Sequence, residues 1–183
     1  NTHDNTEWAV GNDSATRGNY DIWYDDGSSG YALRLRIDSN GHVTKPSQFH
    51  IEVSRSNDQT GYNAGADFGT PMIFNNVVRT IGTTNSALNT STGKITVPVA
   101  GVYFLEAAAL SGSAVFSQGW FTEGTSRMNY SDHVHAGGSG DKTTRLQTSG
   151  MHYLSAGTEV GYKPYGNSES NVTINDSVYH TWF

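Results

Sequence analysis

Residues 88 to 105 decide the fold of this chain, and their sequence is Leu88-Asn89-Thr90-Ser91-Thr92-Gly93-Lys94-Ile95-Thr96-Val97-Pro98-Val99-Ala100-Gly101-Val102-Tyr103-Phe104-Leu105. The polar run before Lys94 is typical of a hairpin turn, and the alternation after it predicts a strand that ends at Pro98. The last four residues are apolar on both faces of an extended chain. Such a strand is either central in a two-layer sandwich or has one side at a subunit interface, and the pattern leaves both interpretations open.

The strand pattern continues outward from this segment. Phe49, Ile51 and Val53 alternate with polar residues upstream, and short apolar runs recur as far as Val178 to Phe183. Turn signals separate these runs at intervals typical of a sandwich or barrel, and no window has sustained helical periodicity. We therefore predict an all-β fold of antiparallel sheets.

The composition agrees with strands and turns. Gly is frequent, with 21 residues, and the chain combines a formal net charge of only −6 with 7 Phe, 10 Tyr and 4 Trp. A core can therefore form, since disordered chains have few aromatic residues and a high net charge. Leu, Ile, Val and Phe are scarce for a chain of 183 residues, so we expect a thin core that partner subunits complete.

Charge and cysteine content exclude several classes of function. The 11 Lys and Arg residues are scattered singly, so we expect no nucleic acid or anionic lipid as a partner. The absence of Cys excludes disulfides, thiolate catalysis and Cys-type zinc sites. The most apolar stretch, residues 97–110, contains Pro98, Gly101 and Glu106, which argues against membrane insertion. Because the first residue is Asn1, we expect a processed chain or a piece of a longer protein.

The N-terminal part differs from the rest in its density of polar and turn residues. Tyr31, Leu33, Leu35 and Ile37 alternate with other residues in one clear strand, and Asn40-Gly41 then predicts a tight hairpin with both residues at positive φ. Lys45 to Gln48 break the pattern. We predict a small β appendage over residues 1–48 and a larger domain over residues 49–183.

Two separated motifs resemble one known family. Phe74-Asn75-Asn76-Val77, and then Thr92-Gly93-Lys94-Ile95 continuing through Pro98 to Gly101-Val102-Tyr103-Phe104, are similar to the signature of C1q-like domains. Leu154 to Val160 match a turn of the same family, with Thr158 where the family usually has Asp. The resemblance covers roughly residues 49–183. It implies a two-sheet antiparallel jelly roll of the C1q and tumour necrosis factor type that packs as a homotrimer. We predict contacts between subunits from Val102–Leu110 and Val172–Phe183.

A further resemblance lies in the N-terminal part. Leu35-Arg36-Ile37-Asp38-Ser39-Asn40-Gly41-His42-Val43 is similar to a strand-turn-strand of bacteriophage fibre proteins, where it often precedes a C1q-like head. The resemblance implies the distal part of a phage tail fibre or related virion fibre, facing the extracellular medium. Other virion proteins are then expected upstream of residue 1.

Two functions from different classes follow. The first is a receptor-binding domain whose loops bind a bacterial surface glycan or protein, with trimer avidity strengthening weak contacts. The alternative is a structural tip or decoration without a specific ligand. We predict no enzymatic activity, because the sequence has no Gly-x-Ser-x-Gly, phosphate loop or dinucleotide fingerprint. The candidate binding residues are those loop side chains that stack on and hydrogen-bond to sugars: Tyr130, Asp132, Lys163, Tyr165 and Asn167.

Two places suggest metal ligands. His133 and His135 leave one face of an extended strand, and three copies around an axis would supply the six nitrogens of an octahedral transition-metal site. The alternative is an ordinary polar loop, which we favour. Asp38-Ser39-Asn40-Gly41 resembles the start of a calcium loop, but Phe49 occupies the position of the closing Glu, and a hairpin explains the segment better. We therefore predict no cofactor apart from this one candidate metal.

Overall fold

The fold described below is that of a computed structural model. It describes residues 6–12, 18–65, 70–82, 85–111, 118–123, 126–132, 144–166 and 170–175. The chain divides into two compact units, residues 1–50 and residues 51–183, which we call the leader and the head. The division falls two residues after the break expected from the sequence, which was placed between residues 48 and 49.

The leader is one antiparallel sheet of four strands in the order β1-β2-β3-β4. Asp26 closes the turn after β2, since its carboxylate accepts hydrogen bonds from the backbone N–H groups of Ser28 and Ser29, each at 2.9 Å. These bonds, the one from Ser29 first, lower the pKa of Asp26 from 3.8 to about 2. The strands are β1 (Thr6–Gly11), β2 (Tyr20–Asp26), β3 (Tyr31–Ile37) and β4 (Val43–Thr44).

Two details of the leader correct the sequence prediction. The register of β2 against β3 shifts between Ile22 and Trp23, where Arg34 is the extra residue of a β-bulge. Tyr31 and Leu33 therefore lie on the opposite face from Leu35 and Ile37, although simple alternation predicted one face for all four.

The second correction concerns the hairpin between β3 and β4. The N–H of Asp38 donates to the carbonyl of His42 at 3.0 Å, so these two residues close the loop. The loop is therefore longer than the tight turn that the sequence predicted. Gly41 has φ +84°, whereas among the described non-glycine residues only Asn171 has a positive φ. Asn40 therefore does not share the left-handed conformation that the dipeptide predicted. The Asp38 carboxylate instead accepts hydrogen bonds from the backbone N–H groups of His42 and Asn40, which lower its pKa.

The head contains strands and one short 3₁₀ turn (Asn85–Ala87) in its described part, and the strand pairings whose register is described are all antiparallel. No helix among the described residues is long and apolar enough to cross a membrane. The strands are β5 (His50–Ser54), β6 (Gln59–Tyr62), β7 (Asn76–Ile81), β8 (Leu88–Asn89), β9 (Lys94–Thr96), β10 (Gly101–Ser111), β11 (Gln118–Glu123), β12 (Ser126–Asp132), β13 (Thr144–Leu154), β14 (Glu159–Tyr165) and β15 (Val172–Ile174).

These strands form two layers, as the predicted jelly roll requires. One layer is a five-stranded sheet in the order β12-β11-β14-β9-β8. The other contains the pairs β10-β13 and β15-β6, joined where Asn175 N–H donates to the Leu110 carbonyl at 2.9 Å. The β5-β7 pair completes the head. The prediction of an all-β, antiparallel jelly roll is confirmed.

The core lies between β11 and β14 of the first layer and β13 of the second. Phe121 packs edge-on against the His152 ring at 6.1 Å, and the hydroxyl groups of Tyr162 and Thr148 are 3.2 Å apart. A Cβ on Gly119 would lie 2.4 Å from Thr148 Oγ1, so the layers come together at a residue without a side chain. Ile51 and Val53 are buried, as their alternation predicted.

The hairpin of the opening segment has the expected position, with β8 and β9 on either side of residues 90–93. Gly93 has φ +70°, and a Cβ there would lie 2.4 Å from the Met72 carbonyl oxygen and 2.6 Å from Ile73 Cα. Both the conformation and the space require glycine. The predicted last strand, Val178 to Phe183, lies outside the described residues.

Candidate functional site

The outer face of β10 and β13 carries a patch of exposed apolar side chains. Val102 lies opposite Tyr153 and Phe104 lies opposite Met151, and residues that face each other on paired strands point to the same side. Their exposed fractions are 63% and 70% for the first pair and 64% and 70% for the second. We call these four residues the apolar head face. The next residue of β10 on this side is Glu106, which accepts a hydrogen bond from Gln147 Nε2.

The apolar head face bears on the two interpretations of the opening segment. Leu105 is buried while Phe104 is exposed, so β10 has one side in the core and an apolar side that the described residues leave open. Within the second predicted contact segment, Val172 and Ile174 are buried in the head, where β15 pairs with β6, so these two residues are corrected as contacts between subunits. Residues 176–183 of that segment lie outside the described part, and their contact stays a prediction.

A cluster of aromatic and basic side chains lies on the face of the five-stranded sheet that is turned away from β13. Trp120 and Tyr165 have ring centroids 5.0 Å apart, and the Arg127 guanidinium lies 4.7 Å from the Trp120 ring centre. Such a cation over the ring face is attracted by the π-electrons. We call Trp120, Arg127 and Tyr165 the tryptophan cluster. Trp120 is only 1% exposed, and within the described part of the chain its Nε1 is buried without a hydrogen-bond partner.

The position of Lys163 corrects a prediction. The sequence placed it in an exposed loop, but it lies in β14 and is fully buried. Its Nζ donates to the Asn63 carbonyl at 3.1 Å and lies 5.1 Å from the centre of the Tyr62 ring. Pro164 is tolerated in β14 because β9 pairs with β14 only at Glu159 and Val160. The ammonium group is therefore not available at the surface.

Two buried tyrosines, Tyr62 and Tyr162, lie in this part of the head. Burial raises the pKa of Tyr62, and nearby Tyr162 raises it further. Burial also raises the pKa of Tyr162, although its hydrogen bond with Thr148 acts in the opposite direction. Both hydroxyl groups therefore stay protonated, and the Tyr62 hydroxyl donates to the Pro164 carbonyl at 3.2 Å. Their role is to satisfy buried polar groups.

The other predicted binding residues have different outcomes. Tyr130 lies in β12 opposite Trp120, which in turn lies opposite Lys163 on β14. Asp132 lies opposite Gln118, which lies opposite Tyr165. The backbone register therefore brings four of the five predicted binding residues into two adjacent rows across β12-β11-β14. Asn167 lies outside the described residues.

The predicted metal ligands His133 and His135 also lie outside the described residues, so the metal site and the ordinary polar loop both stay predictions. Among residues that the structure describes, no group of three or more His, Asp or Glu side chains is arranged to hold a metal ion. The Asp38 carboxylate, which opened the calcium-like segment, binds the backbone and the His42 ring within its own hairpin, with Oδ2 3.0 Å from Nδ1.

Sequence reasoning missed Trp120 and Arg127. The predicted binding residues were loop residues, whereas these two side chains lie on the paired strands β11 and β12. The available signal in the sequence was Trp120 followed closely by Arg127, each the only residue of its type in that stretch.

Comparisons with known proteins give a similarity of structure. No family model and no curated protein matches the chain. Among solved structures, the chain is similar to the globular domain of the zebrafish complement 1qA protein, with 19% sequence identity and a TM-score of 0.44. The similarity covers 71% of this chain and 97% of that chain.

Proposed function

We propose that this chain is the receptor-binding head of a homotrimeric virion fibre, a non-enzymatic module that binds a bacterial surface glycan or protein. The exposed apolar head face is the observation that carries the proposal. Soluble monomers rarely leave a contiguous apolar patch uncovered, so a face of this kind is expected to pack against other copies of the chain. The resemblance of both parts of the sequence to C1q-like heads and phage fibres supplies the threefold symmetry and the virion setting.

Covering the apolar head face favours association. Burying a side chain of the size of Phe, Met or Val contributes about 1.5–3 kcal/mol. The face has four such side chains, and the Glu106 carboxylate beside it already accepts a hydrogen bond from Gln147 Nε2. A closed cyclic arrangement covers the face in every copy.

Ligand binding is assigned to the sheet surface around the tryptophan cluster. Tyr165 is half-buried and offers part of its ring, and aromatic rings provide the flat apolar surface on which sugar rings stack. Tyr130, Asp132 and Asn167 are the neighbouring candidates, whereas Lys163 is buried and does not bind ligand in this proposal. Three such sites in one trimer multiply weak single contacts.

Sedimentation tests the assembly part of the proposal. The wild-type chain is expected to sediment as a trimer at micromolar concentration. Phe104→Lys places a charge in the apolar head face and is expected to shift the chain to monomer, whereas Val78→Lys, at a 48% exposed apolar residue on β7, is the matched control and stays trimeric. A folded wild-type monomer would contradict the proposal.

Adsorption to host cells separates the proposed function from its structural alternative. The chain is expected to bind intact cells and extracted surface polysaccharide, and Tyr130→Ala combined with Tyr165→Ala is expected to weaken binding at least tenfold while leaving the trimer intact. Tyr31→Ala, in the leader, is the control. Binding that is absent in the wild type, with the trimer present, would favour a structural tip. Elemental analysis of the same trimer tests the His133 and His135 site, which requires one transition metal per trimer.

A further inference from the structure

One face of the leader sheet collects most of its apolar side chains. Trp8 lies opposite Tyr24 and Val10 lies opposite Ile22, and after the bulge Ile22 lies opposite Leu35. Residues opposite each other share a face. We call this set the apolar leader face, and its members are Trp8, Val10, Tyr20, Ile22, Tyr24, Leu35, Ile37 and Val43.

The apolar leader face is open to solvent. Trp8, Val10 and Val43 are 64%, 58% and 57% exposed, and within the described part of the leader the only fully buried residue is Asp21. Asp21 lies on the opposite face, where Arg36 binds its carboxylate through Nε at 2.8 Å and Nη2 at 2.5 Å. An apolar face on a single sheet needs a covering layer to stay folded, and the described leader provides none.

The charges of the leader allow identical faces to meet. Among the described residues, the charged side chains on the apolar leader face stand at one end, beside the turn after β2. There Arg34 lies 5.5 Å from the Tyr24 ring centre, and Asp26 binds its own turn. The rest of the face is uncharged, while Glu7 and the Asp21–Arg36 pair lie on the other side. Copies of this face can pack together without placing like charges opposite each other.

The size of the face limits what it can do alone. Four strands spaced about 4.8 Å apart and about six residues long cover roughly 400 Å². Three copies together would bury about 1,200 Å² over three pairwise contacts, so each pair shares about 400 Å², well below the range for a stable pairwise interface. The face is thus too small to hold two copies together firmly alone, but it is sufficient where another surface already brings the copies together.

We propose that the apolar leader face packs against the same face of the other copies, so that the leader is a second assembly surface of the oligomer. The proposal rests on the proposed self-association through the apolar head face, which raises the local concentration of leaders. The three sheets then enclose a common apolar core that no single leader contains.

Cross-linking of the full chain tests this directly, because the chain has no Cys of its own. Val10→Cys and Tyr20→Cys each introduce one thiol on the apolar leader face, and a short bismaleimide can then link only two different copies. Covalent dimers are expected on denaturing gels for both variants. Glu7→Cys, on the opposite face of β1, is the matched control and is expected to give at least tenfold less cross-linked product.

The outcomes separate this inference from the proposed function. If sedimentation gives a trimer and neither face variant cross-links above the control, another layer covers the face and the inference is wrong while the proposed assembly stands. A monomeric chain overturns both. As a second measurement, Val10→Lys is expected to raise amide hydrogen exchange in β1 to β3 at least tenfold with an unchanged trimer, and equal exchange in Val10→Lys and Glu7→Lys would also overturn the inference.

Discussion

The leader and the head are both antiparallel sheets, but they are stabilised in different ways. Every buried apolar side chain in the described part of the chain belongs to the head, starting with Ile51 and Val53. In the described leader the one buried residue is the acid Asp21. The head therefore has a core of its own. The leader is instead stabilised by its turns, by the Asp21–Arg36 ion pair and by the layer that covers its apolar face.

Strand alternation predicts which residues share a face of a sheet, but it does not predict whether that face is buried. Alternation in β5 and in β3 looks alike in sequence, yet one strand buries its apolar residues and the other leaves them half-exposed. The distinction comes from the second layer, which the head contains and a four-stranded sheet lacks. Truncating a buried side chain of the head should therefore lower the free energy of unfolding much more than truncating an exposed side chain of the leader.

The largest effect is expected from Phe121→Ala in the head core. Phe121 is fully buried, with the Tyr162 ring at 5.6 Å, so truncation leaves a cavity and lowers the free energy of unfolding by about 3–5 kcal/mol. Urea denaturation followed by circular dichroism measures it. Tyr31→Ala, at a 52% exposed leader residue, is the counterpart and should cost less than about 0.5 kcal/mol. Equal losses of unfolding free energy in the two variants would contradict the different stabilisation of the leader and the head.

A smaller effect is expected from Asp21→Asn, which tests the internal stabilisation of the leader. The carboxylate is fully buried and holds both Nε and Nη2 of Arg36, whose side chain is 28% exposed. Loss of the charge leaves a buried amide that pairs poorly with the guanidinium, at a cost of about 1–3 kcal/mol. Hydrogen exchange should quicken in β2 and β3 while exchange in the head stays unchanged. Glu7→Gln makes the same chemical change at an exposed position and should leave the exchange rates unaltered.

The smallest effect concerns pH and compares two turns of similar design. Asp26 closes a leader turn and has its pKa lowered to about 2 by backbone hydrogen bonds, whereas Asn89 Oδ1 closes the β8-β9 turn of the head by accepting from Ser91 at 3.0 Å. The folded pKa of Asp26 lies below its unfolded value near 3.8, so its stabilising contribution is complete above that value and disappears as pH falls through 2.

NMR titration of the Asp26 carboxyl carbon should give the low midpoint, and exchange at Ser28 and Ser29 should quicken over the same range. The Asn89 turn does not titrate and should show no such change, and Asp26→Asn should abolish the pH dependence of exchange at Ser28 and Ser29. A midpoint near 3.8 would mean that the turn does not hold its carboxylate as described.

Much of the fold could be predicted because it depends on local signals. The alternation at Ile51 and Val53 and the polar turn before Lys94 predicted strands and a hairpin that the structure contains. The β-bulge at Arg34 could not be predicted, since one extra residue leaves no mark on an alternating pattern until its partner strand is known.

The candidate site was harder to predict for the same reason. Tyr130 and Tyr165 share one sheet because β11 pairs with both β12 and β14, and the pairing of β11 with β14 joins segments that are distant in the sequence. Burial of Lys163 follows from contact with Tyr62 and Asn63, a hundred positions away along the chain.

The close approach at Gly93 has a consequence for how such chains vary in evolution. Gly93 touches the backbone of Met72, Ile73 and Phe74, so the two halves of the motif that first suggested the fold are in contact in space. Residues 72–74 have little freedom to move away, because Met72 N–H donates to the Tyr162 carbonyl at 2.8 Å and Arg55 binds the Ile73 carbonyl. The stretch between the halves is under no such constraint from Gly93. Related chains should therefore keep glycine at this position and drift in the length and sequence of the intervening segment.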